Sequence, residues 1–300
     1  MRTKTITVDE INKQVEANPA EFIEKCESEY KNQIFEVVKK LQSCPGKKFV
    51  LIAGPSSSGK TTTSKILKEK LELDGYKAIT LSLDDFFVER KDTPLWDDGE
   101  YNYETSESID WKLFGERMGR LLNGEEVVLP TYNFETGMKE FFRKAKIDEK
   151  SLVIVEGLHA LNPIVDKYID STKTLKVYIS ANTDIHLDGE LYIKHKSVRL
   201  FRRIIRDLYT RFTGVEGTLK IWQKVSLGET LYIDPFVDSA DIAINTFHPY
   251  ELCVYRKLFD MLKEQSAELN TICLTLEPFE TLTTDMVPTD SVLQEFIPHK

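Results

Sequence analysis

Gly54-Pro55-Ser56-Ser57-Ser58-Gly59-Lys60-Thr61 is the stretch that decides the fold of this chain. It reads G-x-x-x-x-G-K-T, a P-loop pattern whose meaning depends on its flanks. Upstream, Lys48-Phe49-Val50-Leu51-Ile52-Ala53 is short, apolar and β-prone, which predicts a buried parallel strand. Downstream, Ile66, Leu67 and Leu71 fall at helical spacing. The pattern therefore sits between a strand and a helix. Gly54 and Gly59 permit backbone conformations that a Cβ would forbid. Successive amide N–H groups can then converge, and the helix N-terminus adds partial positive charge, so the loop can cradle a polyphosphate. Lys60 is expected to reach the β/γ-phosphates of ATP, and the Thr61 hydroxyl to ligate Mg²⁺.

The chain has 300 residues, enough for one large α/β domain with appendages. Its net charge of −9 argues against a general nucleic-acid or anionic-membrane binder. No stretch approaches a membrane span, and the N-terminus lacks the apolar run of a signal peptide. Cys26, Cys44, Cys253 and Cys273 form no C-x-x-C pair, which suits reduced thiols in a cytoplasmic protein. The five histidines show no metal-binding spacing and are expected at the surface or hydrogen-bonded internally.

Residues 7–45 read as two helices. Thr7-Val8-Asp9-Glu10 is a capping box, and Asn18-Pro19 starts the second helix. This region, 1–46, is taken as a helical extension, and 47–300 as the main domain. Ala78–Leu83 predicts a strand ending in Asp84-Asp85, where carboxylates of an α/β sheet meet ligands. Strand alternation would turn Asp85 away from the side that Asp84 faces. Residues 88–108 read as a functional loop, Trp111–Leu122 as a helix, and Val127–Phe134 as an edge strand or hairpin. Leu152–Val155 and Leu175–Ser180 are further strands, the first ending in Glu156. A mostly parallel sheet with helices on both faces follows from this alternation. Between Lys194 and Arg211 basic residues outnumber acidic ones. Arg199, Arg203 and Arg206 share a helix face there, which suggests a lid over about 194–215. Residues 214–233 and 249–265 read as helices, 240–245 as a strand, 271–276 as a last strand, and 290–300 as a helical turn or two before an exposed end.

In order along the chain, the P-loop, Ser82–Phe87, Tyr101–Glu104, Leu129–Phe134, Val155–Gly157, Arg202–Asp207 and Ala240–Ile242 resemble the uridine kinase / phosphoribulokinase family. Gly54–Thr62, Leu158–Pro163 and Ser291–Ile297 are similar to a bacterial branch of nucleoside kinases. In that branch the kinase domain follows domains like those of threonyl-tRNA synthetase. Residues 8–45 match only its helical connector. The resemblance implies a P-loop three-layer α/β sandwich with ATP and Mg²⁺ as cofactors, and a donor site over Gly54, Pro55, Ser56, Ser57, Ser58, Gly59, Lys60, Thr61 and Thr62. It makes Asp84 the base that activates the acceptor hydroxyl and Glu104 the grip on ribose hydroxyls. Tyr132 and Phe134 would hold the base, Arg203, Arg206 and Arg211 would be the lid cations, and Thr61 and Glu156 the metal shell. The chain departs from the pattern at Phe87, Glu104 and Gly137, where uridine kinases usually carry Tyr, Asp and a base-contacting His.

The expected activity is transfer of phosphate from ATP to a small-molecule hydroxyl, foremost the 5′-hydroxyl of uridine or cytidine. A kinase of another sugar-like alcohol is the alternative. An ATP-binding sensor or partner module is a third reading, disfavoured because Lys60, Thr61, Asp84 and Glu156 are all retained. The chain has no N-K-x-D guanine-reading motif. Self-association into a homo-oligomer is left open.

Overall fold

The computed structural model describes residues 2–211, 213–262 and 266–298. The chain begins with β1 (Lys4–Thr7), α1 (Val8–Ala17), α2 (Pro19–Ser43), β2 (Phe49–Ala53), α3 (Lys60–Leu73) and β3 (Lys77–Ser82). It continues through α4 (Trp111–Leu122), β4 (Val127–Asn133), β5 (Met138–Ala145), β6 (Ser151–Glu156), β7 (Thr174–Ser180), β8 (Thr183–Leu187) and β9 (Glu190–Ile193). α5 (His195–Thr210), α6 (Val215–Tyr232), β10 (Ile242–Asn245), α7 (Glu251–Asp260) and α8 (Ala267–Leu276) complete it.

The central sheet has the order β10-β7-β2-β6-β3, and every pairing in it is parallel. The inner strands β7, β2 and β6 are buried on both faces, so their side chains divide by alternation. Val50 and Ile52 of β2 enter the core shared with α2, α3, α5, α7 and α8. Phe49, Leu51 and Ala53 enter the opposite core, which α4 and the β4–β5 hairpin cover. This is the three-layer α/β sandwich expected from the sequence.

The helix signals at the N-terminus act as read. Thr7 and Glu10 exchange capping-box hydrogen bonds, and Asn18 caps α2 with Pro19 in its first turn. α2 lies against α3 and β10. The Tyr30 hydroxyl meets Thr63 Oγ1 at 2.7 Å, and Gln33 exchanges hydrogen bonds with the Asn245 backbone. β1 pairs in parallel with β8, and β8 with β9 in an antiparallel hairpin, giving a separate three-stranded sheet.

Residues 271–276 are not a strand but the end of α8. Leu269, Ile272, Cys273 and Leu276 are buried at helical spacing, while Leu274 is exposed. Asp84 and Asp85 likewise lie in a 3₁₀ turn, Leu83–Phe86, rather than at the end of a strand. The C-terminal stretch makes one such turn at Val292–Glu295. His299 and Lys300 of the expected exposed end, and 263–265 of the expected 249–265 helix, lie outside the described residues. Among the described residues no helix is long and apolar enough to cross a membrane.

Thr63 Oγ1 also donates to the Gly59 carbonyl at 2.7 Å, so its lone pair receives the Tyr30 proton. Tyr30→Phe leaves Thr63 its acceptor and removes one buried hydrogen bond. The expected loss is about 1 kcal/mol of unfolding free energy in urea titrations, with the slope unchanged.

Candidate active site

The loop after β2 is held from outside by its own carbonyls. Arg199 Nη1 donates to the Ser56 carbonyl at 3.1 Å, Arg202 Nη1 to Ser57 at 3.3 Å, and Thr246 Oγ1 to Ser58 at 2.8 Å. Lys60 Nζ folds back onto the carbonyls of Gly54 (2.9 Å) and Pro55 (3.2 Å). A peptide whose C=O is fixed outward has its N–H fixed inward. Among the described residues, the amides of Ser56, Ser57 and Gly59 donate to no protein acceptor. They stand at the start of α3, where the helix end adds positive potential. The two glycines are sterically required. A Cβ at Gly54 would collide with the Ile179 carbonyl oxygen, and Gly59 has φ +86° beside Val292.

The braces are themselves buried. Arg202 forms a bidentate pair with Glu251 at 2.7 and 2.9 Å, both side chains fully buried. Arg199 pairs with Glu229 at 2.6 Å. The basic run thus splits into two sets. Arg199 and Arg202 support the loop backbone, whereas Arg203, Arg206 and Arg211 line a cavity of about 880 Å³ over the loop. Asp207 anchors all three lining arginines, at 3.2 Å from Arg203, 2.8 Å from Arg206 and 3.7 Å from Arg211. Arg203 also donates to Ser56 Oγ at 2.8 Å.

Ser56 to Thr61, Asp84, Glu104, Glu156 and Phe134 line the same cavity. Four residues predicted at the site do not. Gly54 and Pro55 contribute carbonyls to Lys60, and Thr62 donates its hydroxyl to Glu295 at 2.8 Å. The Tyr132 ring is 4 % exposed, edge-on to Phe87 and Phe134, and supports the cavity wall from behind. Asp85 points elsewhere and accepts the Tyr132 amide at 3.3 Å. Glu295 and Lys224, which the sequence reading gave no role, also line the cavity, as do Trp96, Tyr101 and Tyr103 of the stretch 88–108 read as a functional loop. Lys224 reaches from α6 to Asp98 (2.6 Å) and Glu100 (2.8 Å), and so fixes the loop that carries Trp96 and Tyr101. The slot beside Gly137 is filled by Arg90, whose guanidinium donates to the carbonyls of Phe134 and Glu135.

Residues 49–251 match the model of the phosphoribulokinase / uridine kinase family. The chain belongs to that family. Among curated relatives, a uridine kinase of Halobacterium salinarum is 26 % identical over 194 residues, covering 64 % of this chain and 77 % of that protein. One of Mycoplasma genitalium is 30 % identical over 176 residues, covering 59 % and 74 %. Among solved structures, a possible uridine kinase from Bacillus stearothermophilus aligns with a TM-score of 0.46 at 18 % identity, over 72 % of this chain and 99 % of that one.

The carboxylates of this kinase are electrostatically unsettled. Burial pushes Glu156 up to about 7, reinforced by Asp84 and opposed by Lys60. Burial also pushes Glu104 up to about 7, with Arg203 opposing. Asp84 is raised by burial and by Asp85, against Lys60 and Arg211. Acidic groups clustered in this way favour a cation. Among the described residues no three His, Cys, Asp or Glu side chains form a complete metal cage. The exposed Thr61 hydroxyl and the Glu156 carboxylate therefore suit Mg²⁺, which needs few protein ligands and fills its octahedron from phosphates and water.

A carboxyl with a higher pKa folded than unfolded binds its proton more tightly in the native state. Its contribution to stability is full below the ordinary value of 4.5 and is lost as pH rises to about 7. Melting of the ligand-free protein should therefore fall between pH 5 and pH 7.5, and fall less in Glu104→Gln and Glu156→Gln. A parallel fall in all three proteins would place the responsible groups elsewhere.

Proposed function

We propose that this kinase transfers the γ-phosphoryl group of ATP to a primary hydroxyl of a nucleoside, of the uridine or cytidine type. The observation that carries the reading is one cavity that joins the P-loop and Asp84 to an aromatic wall of Phe87, Trp96, Tyr101, Tyr103 and Phe134. Flat π-surfaces suit a planar base, and a small sugar phosphate would have little use for them. Asp84 takes the proton of the attacking hydroxyl, and its raised pKa suits that task. Glu104 accepts from the ribose hydroxyls. The free amides of the loop and Lys60, released from its carbonyls, hold the donor phosphates. Arg203, Arg206 and Arg211 balance the charge that spreads over the transferred group. Bound at Thr61 and Glu156, Mg²⁺ would supply Lewis-acid neutralisation of the phosphate oxygens. A nucleotide sensor would gain nothing from a buried base at Asp84. Arg90 in place of a side chain at Gly137 gives the base side a different edge, so the acceptor preference must be measured.

ADP release should be screened across nucleosides and sugar alcohols. Turnover is expected with a pyrimidine nucleoside, and turnover confined to a non-aromatic alcohol would refute the nucleoside assignment. Asp84→Asn should lower kcat by roughly 10²–10⁴-fold with ATP affinity nearly unchanged. Asp85→Asn, whose carboxylate faces away from the cavity, should keep most activity. An active Asp84→Asn would remove the proposed base. Lys60→Ala should abolish transfer without lowering the melting temperature, and Arg206→Ala should depress kcat more than it raises KM.

A further inference from the structure

A second groove, of about 300 Å³, lies behind the catalytic turn, between α3, the edge strand β3 and the β4–β5 hairpin. α3 presents Ser64, Lys65 and Lys68 to it, and β5 presents Arg143. Several donors here are withdrawn from water without a protein partner. Ser64 is 3 % exposed and its hydroxyl makes no hydrogen bond. Nε and Nη2 of Arg143 are buried and equally unpartnered. The nearest Asp85 oxygen is 3.9 Å from Arg143, beyond hydrogen-bond reach. Lys65 makes no ion pair among the described residues, and Lys68 approaches Glu72 only to 3.8 Å.

Two carboxyls face these cations, Asp85 and Glu156. Three cations, Lys65, Lys68 and Arg143, outnumber these two carboxylates, so the groove keeps a net positive charge. In a chain of net charge −9, an unbalanced cationic concavity with idle donors calls for an anion. The chemistry narrows its class. A guanidinium with two free N–H groups suits two oxygens of one oxyanion, and the lysines add point charge on the opposite side. The volume accepts a phosphate with a small substituent and is too small for a polymer.

We propose that this groove is a second phosphate site, distinct from the P-loop cavity, that takes a small phosphate monoester or free orthophosphate. It shares Thr61 and Glu156 with the main cavity. An occupant therefore lies against the back of the residues expected to hold the metal.

The test is equilibrium dialysis of the full chain, saturated with Mg²⁺ and a non-hydrolysable ATP analogue, against labelled orthophosphate and, separately, labelled glycerol phosphate. One further equivalent of anion is expected to bind. Tighter binding of glycerol phosphate identifies the monoester as the ligand, and tighter orthophosphate the free ion. The Lys65→Gln/Lys68→Gln double variant and Arg143→Gln should each weaken this binding by roughly tenfold or more, with analogue binding and melting temperature unchanged. Because these positions are at the protein surface or its edge, the variants are expected to fold, and the melting curve checks it. The assignment is overturned if no second equivalent binds to the wild type, or if binding survives both variants. Lys60→Ala separates the two sites, since it should lose the analogue and retain the second anion. Loss of both anions in Lys60→Ala would also overturn the assignment.

Discussion

The site depends on one constraint: the carbonyls of the phosphate loop must be held outward. Left free, the peptides of Ser56, Ser57 and Ser58 could rotate and satisfy their own N–H groups. Each carbonyl instead has a dedicated donor, Arg199, Arg202 and Thr246 in turn. Those donors cannot drift, because Glu229 and Glu251 hold the two arginines in the buried layer beneath. A buried ion pair contributes little net stability. Its use here is geometric, since it orders a guanidinium that then orders a backbone. Thr246 follows β10 directly and bonds back to the Ser180 carbonyl of β7 through its amide, so the sheet itself sets the third brace.

The same economy governs the charges inside the cavity. Lys60 rests on the carbonyls of Gly54 and Pro55, and three arginines rest on Asp207. Each cation has a weak or shared internal partner that a phosphate can outbid. Hydrogen bonds between charged groups are stronger than those to neutral carbonyls, so in the proposed reaction Lys60 would exchange a pair of carbonyls for phosphate oxygens at a gain. Glu104 and Glu156 are left the other way round, raised by burial and in no ion pair among the described residues. On the proposed function, a metal-bound nucleotide would resolve both imbalances together.

Much of this was legible in the sequence, and the failures have physical causes. The strand–loop–helix frame and the parallel sheet follow from local patterns, whereas the joint presence of Lys60, Asp84, Glu104, Glu156 and the arginines in one cavity follows from the ordered motifs of the family resemblance. Helix spacing alone could not split the arginines into braces and lining residues, but the family resemblance singles out Arg203, Arg206 and Arg211, the three that line the cavity. Arg199 and Arg203 share a helix face, and only the partners Glu229 and Asp207 distinguish them. The small β1-β8-β9 sheet was missed although Asp188-Gly189 is a strong hairpin dipeptide, with φ +52° and +85° in the structure. α8 was misread because Ile272, Leu274 and Leu276 alternate as in a strand. The competing spacing of Leu269, Ile272, Cys273 and Leu276 was the better guide to burial. Glu295 lies far along the chain from the loop it meets, so no local pattern could announce it.

The meeting of both chain ends on the first turn of α3 has a mechanical reading. From the N-terminal side, Tyr30 on α2 reaches Thr63, whose hydroxyl holds the Gly59 carbonyl. From the C-terminal side, Glu295 takes the Thr62 hydroxyl and Val292 packs on Gly59. Gly59 is the residue with the least intrinsic preference for its conformation, since glycine is the most permissive of all. It is also the point where the loop becomes a helix and where the amides must converge. A hinge at that position would let the phosphate cradle open with each fluctuation. The Thr63 bond to its carbonyl and the Val292 side chain against its Cα remove the freedom that the missing side chain of Gly59 confers, and so turn a permissive residue into a fixed one.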